Sequence, residues 1–144
     1  MISKAIVVFT SVLFLSGALR SAQPTDTSPK EAPEPSSFVE HGGARIPLYT
    51  LSQIRPSNLV QPEYPKEEKE KKLVGKAVIR VFVTREGKIA ELEIRTSEPS
   101  SSIGDSAKKA VSQWRFPAVT RGGAGLSYAI DVPVIFVPEG TPPL

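Results

Sequence analysis

The chain has 144 residues, room for one ordinary domain, and its 40% apolar content is that of a globular protein rather than a disordered or membrane-embedded one. Its 18 basic and 15 acidic side chains leave a formal charge of +3 with both signs interspersed, so no basic face is implied and no nucleic-acid partner is expected. Without cysteine the chain can form no disulfide frame or thiolate metal site and cannot carry a lipoprotein's acyl group.

Residues 1–18 have the make-up of a signal peptide. Lys4 is the positive start, Ala5 to Leu15 the apolar run, and Ser16-Gly17-Ala18 the small residues a signal peptidase reads. The stretch from Ala5 to Leu19, interrupted by Thr10, Ser11 and Ser16, is shorter than the roughly 20 residues a spanning helix needs, so cleavage is the expectation and an uncleaved anchor the alternative. Residues 19–37 are rich in Pro, Ser and acidic side chains, with almost nothing to bury, and read as a disordered, partly polyproline tether. Across 38–60, Ile46, Leu48, Tyr49, Leu51, Ile54, Leu59 and Val60 are scattered among Pro and Gly, which suggests an extended arm lying on the domain.

Lys66 to Lys72 mixes charges at spacings of three and four, the pattern of a short exposed helix ended by Gly75. Lys76 to Thr84 then alternates, with Ala77, Ile79, Val81 and Val83 on one face. Gly87 supplies the turn, and alternation resumes from Ile89 with Leu92 and Ile94, completing a β-hairpin. After a polar break, Ile103, Ala107, Ala110, Val111 and Trp114 fall on one helical stripe, stopped by Pro117. Arg121 to Gly125 reads as a glycine-rich connection. Leu126, Tyr128, Ile130, Val132, Val134 and Phe136 share one side of a long final strand. The fold class is therefore α+β: a small β-β-α-β domain at 61–138, an antiparallel sheet with one long helix packed on one face, preceded by a short helix and the arm, and followed by a tail at 139–144.

These elements carry words that resemble the C-terminal domain of TonB-family proteins. The family's Pro-x-Tyr-Pro opening is found as Pro62-Glu63-Tyr64-Pro65, and its glycine with alternating apolar residues as Gly75, Ala77, Ile79, Val81 and Val83. Its turn glycine is found as Gly87 before Ile89, its alanine helix closing on Trp-Arg-Phe as Ala107, Ala110 and Trp114-Arg115-Phe116, and its final strand as Ile130-Asp131-Val132-Pro133-Val134-Ile135-Phe136. The likeness runs from about Gln61 to Val137. Trp-Arg-Phe-Pro-Ala lacks a residue the family usually has between Phe and Pro, and the longer anchor and spacer of full-length transducers are not evident.

The resemblance implies a module that does no chemistry, works in TonB-dependent transmembrane transport in the periplasm, and takes an extended segment of an outer-membrane receptor along its last strand; if anchored, it would also meet inner-membrane motor proteins. Pro133 independently suggests that this strand is an edge, because proline lacks the N–H a ladder needs. The expected docking rail is Ser127, Tyr128, Ala129, Ile130, Asp131 and Val132, with Gln61, Tyr64 and Pro65 at the lead-in. Pro133 protecting an edge against aggregation is the alternative, as is Tyr64 acting as an apolar staple. A homodimer formed through the same edge is a third reading. His41-Gly42-Gly43 and the Arg121–Gly125 loop lack the companions of an oxyanion hole or a phosphate loop. No enzyme activity and no cofactor are expected.

Overall fold

The computed structural model describes residues 30–139; the expected signal peptide at 1–18, residues 19–29 of the expected tether and residues 140–144 of the expected tail lie outside them. Strands β1 (Lys30–Glu31), β2 (Ser37–His41) and β3 (Ala44–Thr50) precede helix α1 (Lys66–Glu70). Strands β4 (Gly75–Val83) and β5 (Ile89–Glu98) lead into helix α2 (Ser101–Val111), and β6 (Val119–Arg121), β7 (Ala124–Leu126) and β8 (Tyr128–Phe136) follow.

The period of two in β4 and β8 decides where the core lies. Ala77, Ile79 and Val81 point to the same side as their cross-strand partners Val134, Val132 and Ile130, and this inner side buries them beneath α2. The helix contributes Ile103, Ala107, Ala110 and Val111, the expected stripe. Gly75 lets Ile103 of α2 settle against the sheet: an added Cβ would lie 2.5 Å from Ile103 Cδ1, so that side chain would have to shift. Gly87, at φ +80°, turns β4 into β5, and its Cα faces the Phe116 carbonyl so closely that a Cβ would lie 2.8 Å from that oxygen.

Two sheets result. The larger runs β2-β3-β8-β4-β5 and the smaller β1-β6-β7. Several expectations are corrected by this arrangement. The sheet is mixed, since β3 pairs parallel with β8 and β1 parallel with β6. The expected β-β-α-β order is interrupted by the β6–β7 hairpin, which occupies the glycine-rich connection and turns at Gly122 and Gly123. The arm at 38–60 contains an antiparallel β2–β3 hairpin built into the sheet, because Pro47 and Tyr49 supply buried side chains that a loosely lying arm would not. The tether's end, 30–37, is bonded down: Ala32 N–H donates to the Thr120 carbonyl at 2.7 Å and Ser36 N–H to the Leu48 carbonyl at 3.0 Å. Helix α2 ends before Trp114, as the chain tightens into three-residue turn bonds from Gln113 N–H to the Ala110 carbonyl and from Trp114 N–H to the Val111 carbonyl. Among the described residues no helix is long and apolar enough to cross a membrane.

Candidate docking site on the last strand

Strand β8 is flanked on one side by β4 along its whole length, from Tyr128 opposite Val83 to Phe136 opposite Gly75. The expected rail on its other side is not bare. Leu48, Tyr49 and Thr50 of β3 lie opposite Ala129, Ile130 and Asp131, so the protein's own backbone covers the middle of the Ser127–Val132 segment. Tyr128, Ala129, Ile130 and Val132 are fully buried, and Ser127 is half-buried just ahead of the strand. Asp131 is already engaged on the outer face, its Oδ1 accepting from Arg80 Nε at 2.7 Å and its Oδ2 from Arg80 Nη2 at 2.8 Å. That bidentate bond holds the guanidinium in its charged form, raising its pKa against the opposing effect of burial. Alternation along β8 reveals which face is apolar but not which strand lies beside it, and β3 is short and interrupted by Pro47.

Beyond Asp131 the flank opposite β4 has no strand partner among the described residues. Pro133 stands two residues past the last β3 contact and opposite Val78 in the β4 ladder. A proline fits an unbroken ladder only where its nitrogen points away from the partner strand, so the main-chain groups of Pro133 face the bare flank, and by period two so do those of Ile135. On the outer face here Ile135 is 64% exposed and Val137 51%, and Val74, just ahead of Gly75, is 59% exposed. The exposed apolar side chains of this flank are thus Ile135 and Val137, downstream of the expected Ser127–Val132 rail.

Two of the three lead-in residues come to this end of β8. The Tyr64 ring lies 5.6 Å from that of Phe136 and its hydroxyl donates to the Leu73 carbonyl. Gln61, Tyr64, Lys69, Phe136 and Glu139 line a shallow depression of about 190 Å³. Pro65 instead lines a second, larger depression of about 410 Å³ against α2, together with Gln61, Asp105 and Lys109. Neither group reaches Ser127 or Ala129.

The lead-in is held by the Trp114-Arg115 word and by Asn58 and Ser57, two residues that carry no sequence pattern. Trp114 Nε1 donates to the Val60 carbonyl at 2.9 Å, Asn58 Nδ2 donates to the Gln113 carbonyl at 3.0 Å, and Ser57 and Arg115 exchange backbone bonds. Glu68, read as part of a solvated face, is only 5% exposed, and its Oε1 accepts from the Ser100 and Ser102 hydroxyls. Those bonds hold its carboxyl below the usual range. His41 stacks on Phe82 at 3.8 Å with Nε2 3.4 Å from Glu91, fastening the β2–β3 tip over the outer face of the sheet. No group of three His, Asp or Glu side chains suited to a metal occurs among the described residues.

The sequence model of the family described as "Gram-negative bacterial TonB protein C-terminal" matches residues 60–138, just over half of the chain. The chain belongs to this TonB C-terminal family. Protein TonB of Vibrio cholerae is 22% identical over 113 residues, covering 78% of this chain and 46% of that protein. Protein TonB of Salmonella typhimurium is 26% identical over 126 residues, 85% of this chain and 50% of that protein. The chain therefore spans about half the length of these relatives. The solution structure of the Pseudomonas aeruginosa TonB C-terminal domain superposes with a TM-score of 0.52 at 23% identity, covering 65% of this chain and 96% of that domain. That likeness bears on the fold: the mixed α+β, strand-dominated architecture is the one shared with a TonB C-terminal domain.

Proposed function

We propose that this protein is a periplasmic, non-enzymatic module of TonB-dependent transmembrane transport that binds an extended segment of an outer-membrane receptor by β-augmentation. The observation that carries this reading is the half-open flank of β8: past Asp131 the main-chain groups of Pro133 and Ile135 have no strand partner among the described residues, exposed Ile135 and Val137 lie beside them, and Tyr64 stands at the strand's end. Main-chain bonds along such a flank supply affinity, and the alternating side chains supply selectivity. The expected rail's middle, Ala129–Asp131, is not part of the proposal, because β3 pairs with it.

Isothermal calorimetry with synthetic peptides copied from periplasmic segments of TonB-dependent receptors tests this reading. Ile135→Pro removes an N–H from the bare flank and leaves the β4 ladder intact, so it is expected to weaken binding about tenfold or more, a loss of roughly 1.4 kcal/mol. Unchanged affinity in a variant that melts like the wild type contradicts the proposal.

The exposed apolar cluster of Val74, Ile135 and Val137 also supports a second reading, pairing of this flank with another copy of the chain. Concentration-dependent sedimentation separates the two. A role as a membrane-anchored transducer that also meets inner-membrane motor proteins turns on residues 1–18 being retained, which the intact mass of the exported protein reads directly.

A further inference from the structure

The bare part of the β8 flank is short for a docking rail. Of its outward-facing residues, Pro133 offers a carbonyl but no N–H, which leaves Ile135 as the one full donor–acceptor pair within the strand. Strands that pair stably in proteins run about 5–6 residues. The same period of two turns the main-chain groups of Ala129 and Asp131 toward this flank, and those are the residues β3 covers. A partner strand therefore gains most of its possible ladder only where β3 now lies.

The cover is lightly built. β3 meets β8 over three residue pairs, Leu48–Thr50 with Ala129–Asp131. Between Ser37 and Thr50 only Pro47 and Tyr49 are buried, and β2 on the outside leaves Phe38 45% exposed. Its other ties are Tyr49, which packs edge-on to Tyr128 and whose Oη accepts from Arg121 Nη2 at 3.4 Å, the Ser36 N–H donating to the Leu48 carbonyl at 3.0 Å, and His41 on Phe82 and Glu91 at the tip. Beyond Thr50 the chain turns away, with Ile54 N–H donating to the Thr50 carbonyl at 3.0 Å, so β3 ends where the bare flank begins.

We propose that the β2–β3 hairpin is a built-in competitor for the docking rail: a partner strand seated at 132–137 extends its pairing by displacing Leu48–Thr50 from Ala129–Asp131. The proposal rests on the docking reading given above. In the closed state the hairpin holds affinity down; release of the hairpin lengthens the rail toward Ala129 without any change in β4 or α2. The occupant is an extended peptide strand, since only a main chain satisfies both the bare and the uncovered groups.

The chain has no cysteine, so a single engineered pair can lock the cover without competing thiols. In the full chain carrying Leu48→Cys with Ala129→Cys, binding of the same synthetic receptor peptides is measured by calorimetry in the oxidised and the reduced form. The proposal predicts affinity at least about fivefold weaker when oxidised and recovery on reduction, because the competent state is withdrawn from the population. A His41→Ala variant, which loosens the tip, is expected to bind more tightly than the wild type, and it serves as the test if the cysteine pair fails to fold. Equal affinity in the oxidised and reduced forms, or His41→Ala binding no more tightly than the wild type, overturns the proposal while leaving the docking reading standing. No binding to any form overturns the docking reading, and this proposal with it.

Discussion

Asp131 shows how one side chain can be read correctly as polar and wrongly as available. Its carboxylate is locked by both nitrogens of Arg80 across the β4–β8 pair, with Arg80 only 15% exposed. Asp131→Ala leaves that guanidinium part-buried without its partner, so a loss of roughly 1–3 kcal/mol in urea unfolding is expected. Trp114 is a second case. Its indole is half-buried beside the core and spends its N–H on Val60, so Trp114→Phe is expected to cost about 1 kcal/mol and to speed amide exchange across 57–60. Glu68 has a depressed pKa because two serine hydroxyls donate to it. Its contribution to stability is thus complete above the ordinary glutamate range and is lost as pH falls through the depressed value. A Glu68→Gln variant should be less stable at neutral pH and lack that acid-side dependence, which a pH series of denaturant midpoints reads out.

At the level of elements, the β4–β5 hairpin and the apolar stripe of α2 were legible because each carries an unbroken period and a local punctuation mark. Gly87 is the clearest mark: its positive φ and the nearby Phe116 carbonyl leave no place for a Cβ. Gly87→Ala should destabilise by about 1–3 kcal/mol in thermal melts. The β2–β3 hairpin was not legible as a hairpin. Its apolar residues are few and Pro47 breaks the alternation. Its stability comes from partners far along the chain, Tyr49 packing edge-on to Tyr128 with ring centroids 5.8 Å apart. The two-residue β1 has no pattern at all and is held by β6, some 90 positions downstream, through Lys30 opposite Val119 and Glu31 opposite Thr120. Sequence periodicity reports which face of a strand is buried; it is silent on which strand lies beside which, and the error over the β8 rail came from that silence.

Across the whole molecule, the family words fall where parts touch. Gly87 of the turn meets Phe116 of Trp-Arg-Phe, Gly75 of the first strand meets Ile103 of the helix, and Tyr64 of Pro-x-Tyr-Pro meets Phe136 of the last strand. These contacts assemble one layer of helix on a sheet whose last strand is covered for its first half and bare for its second. The bare second half is the feature on which the proposed partner binding depends. The most direct measurement is a titration of the isotopically labelled protein with a receptor-segment peptide, followed through backbone amide shifts. The account predicts the largest changes at Val132 and across 134–137, spreading to 129–131 as 48–50 shift with them. Saturable binding that leaves 129–137 unmoved, with the changes on β2, β5 or α2 instead, would contradict it.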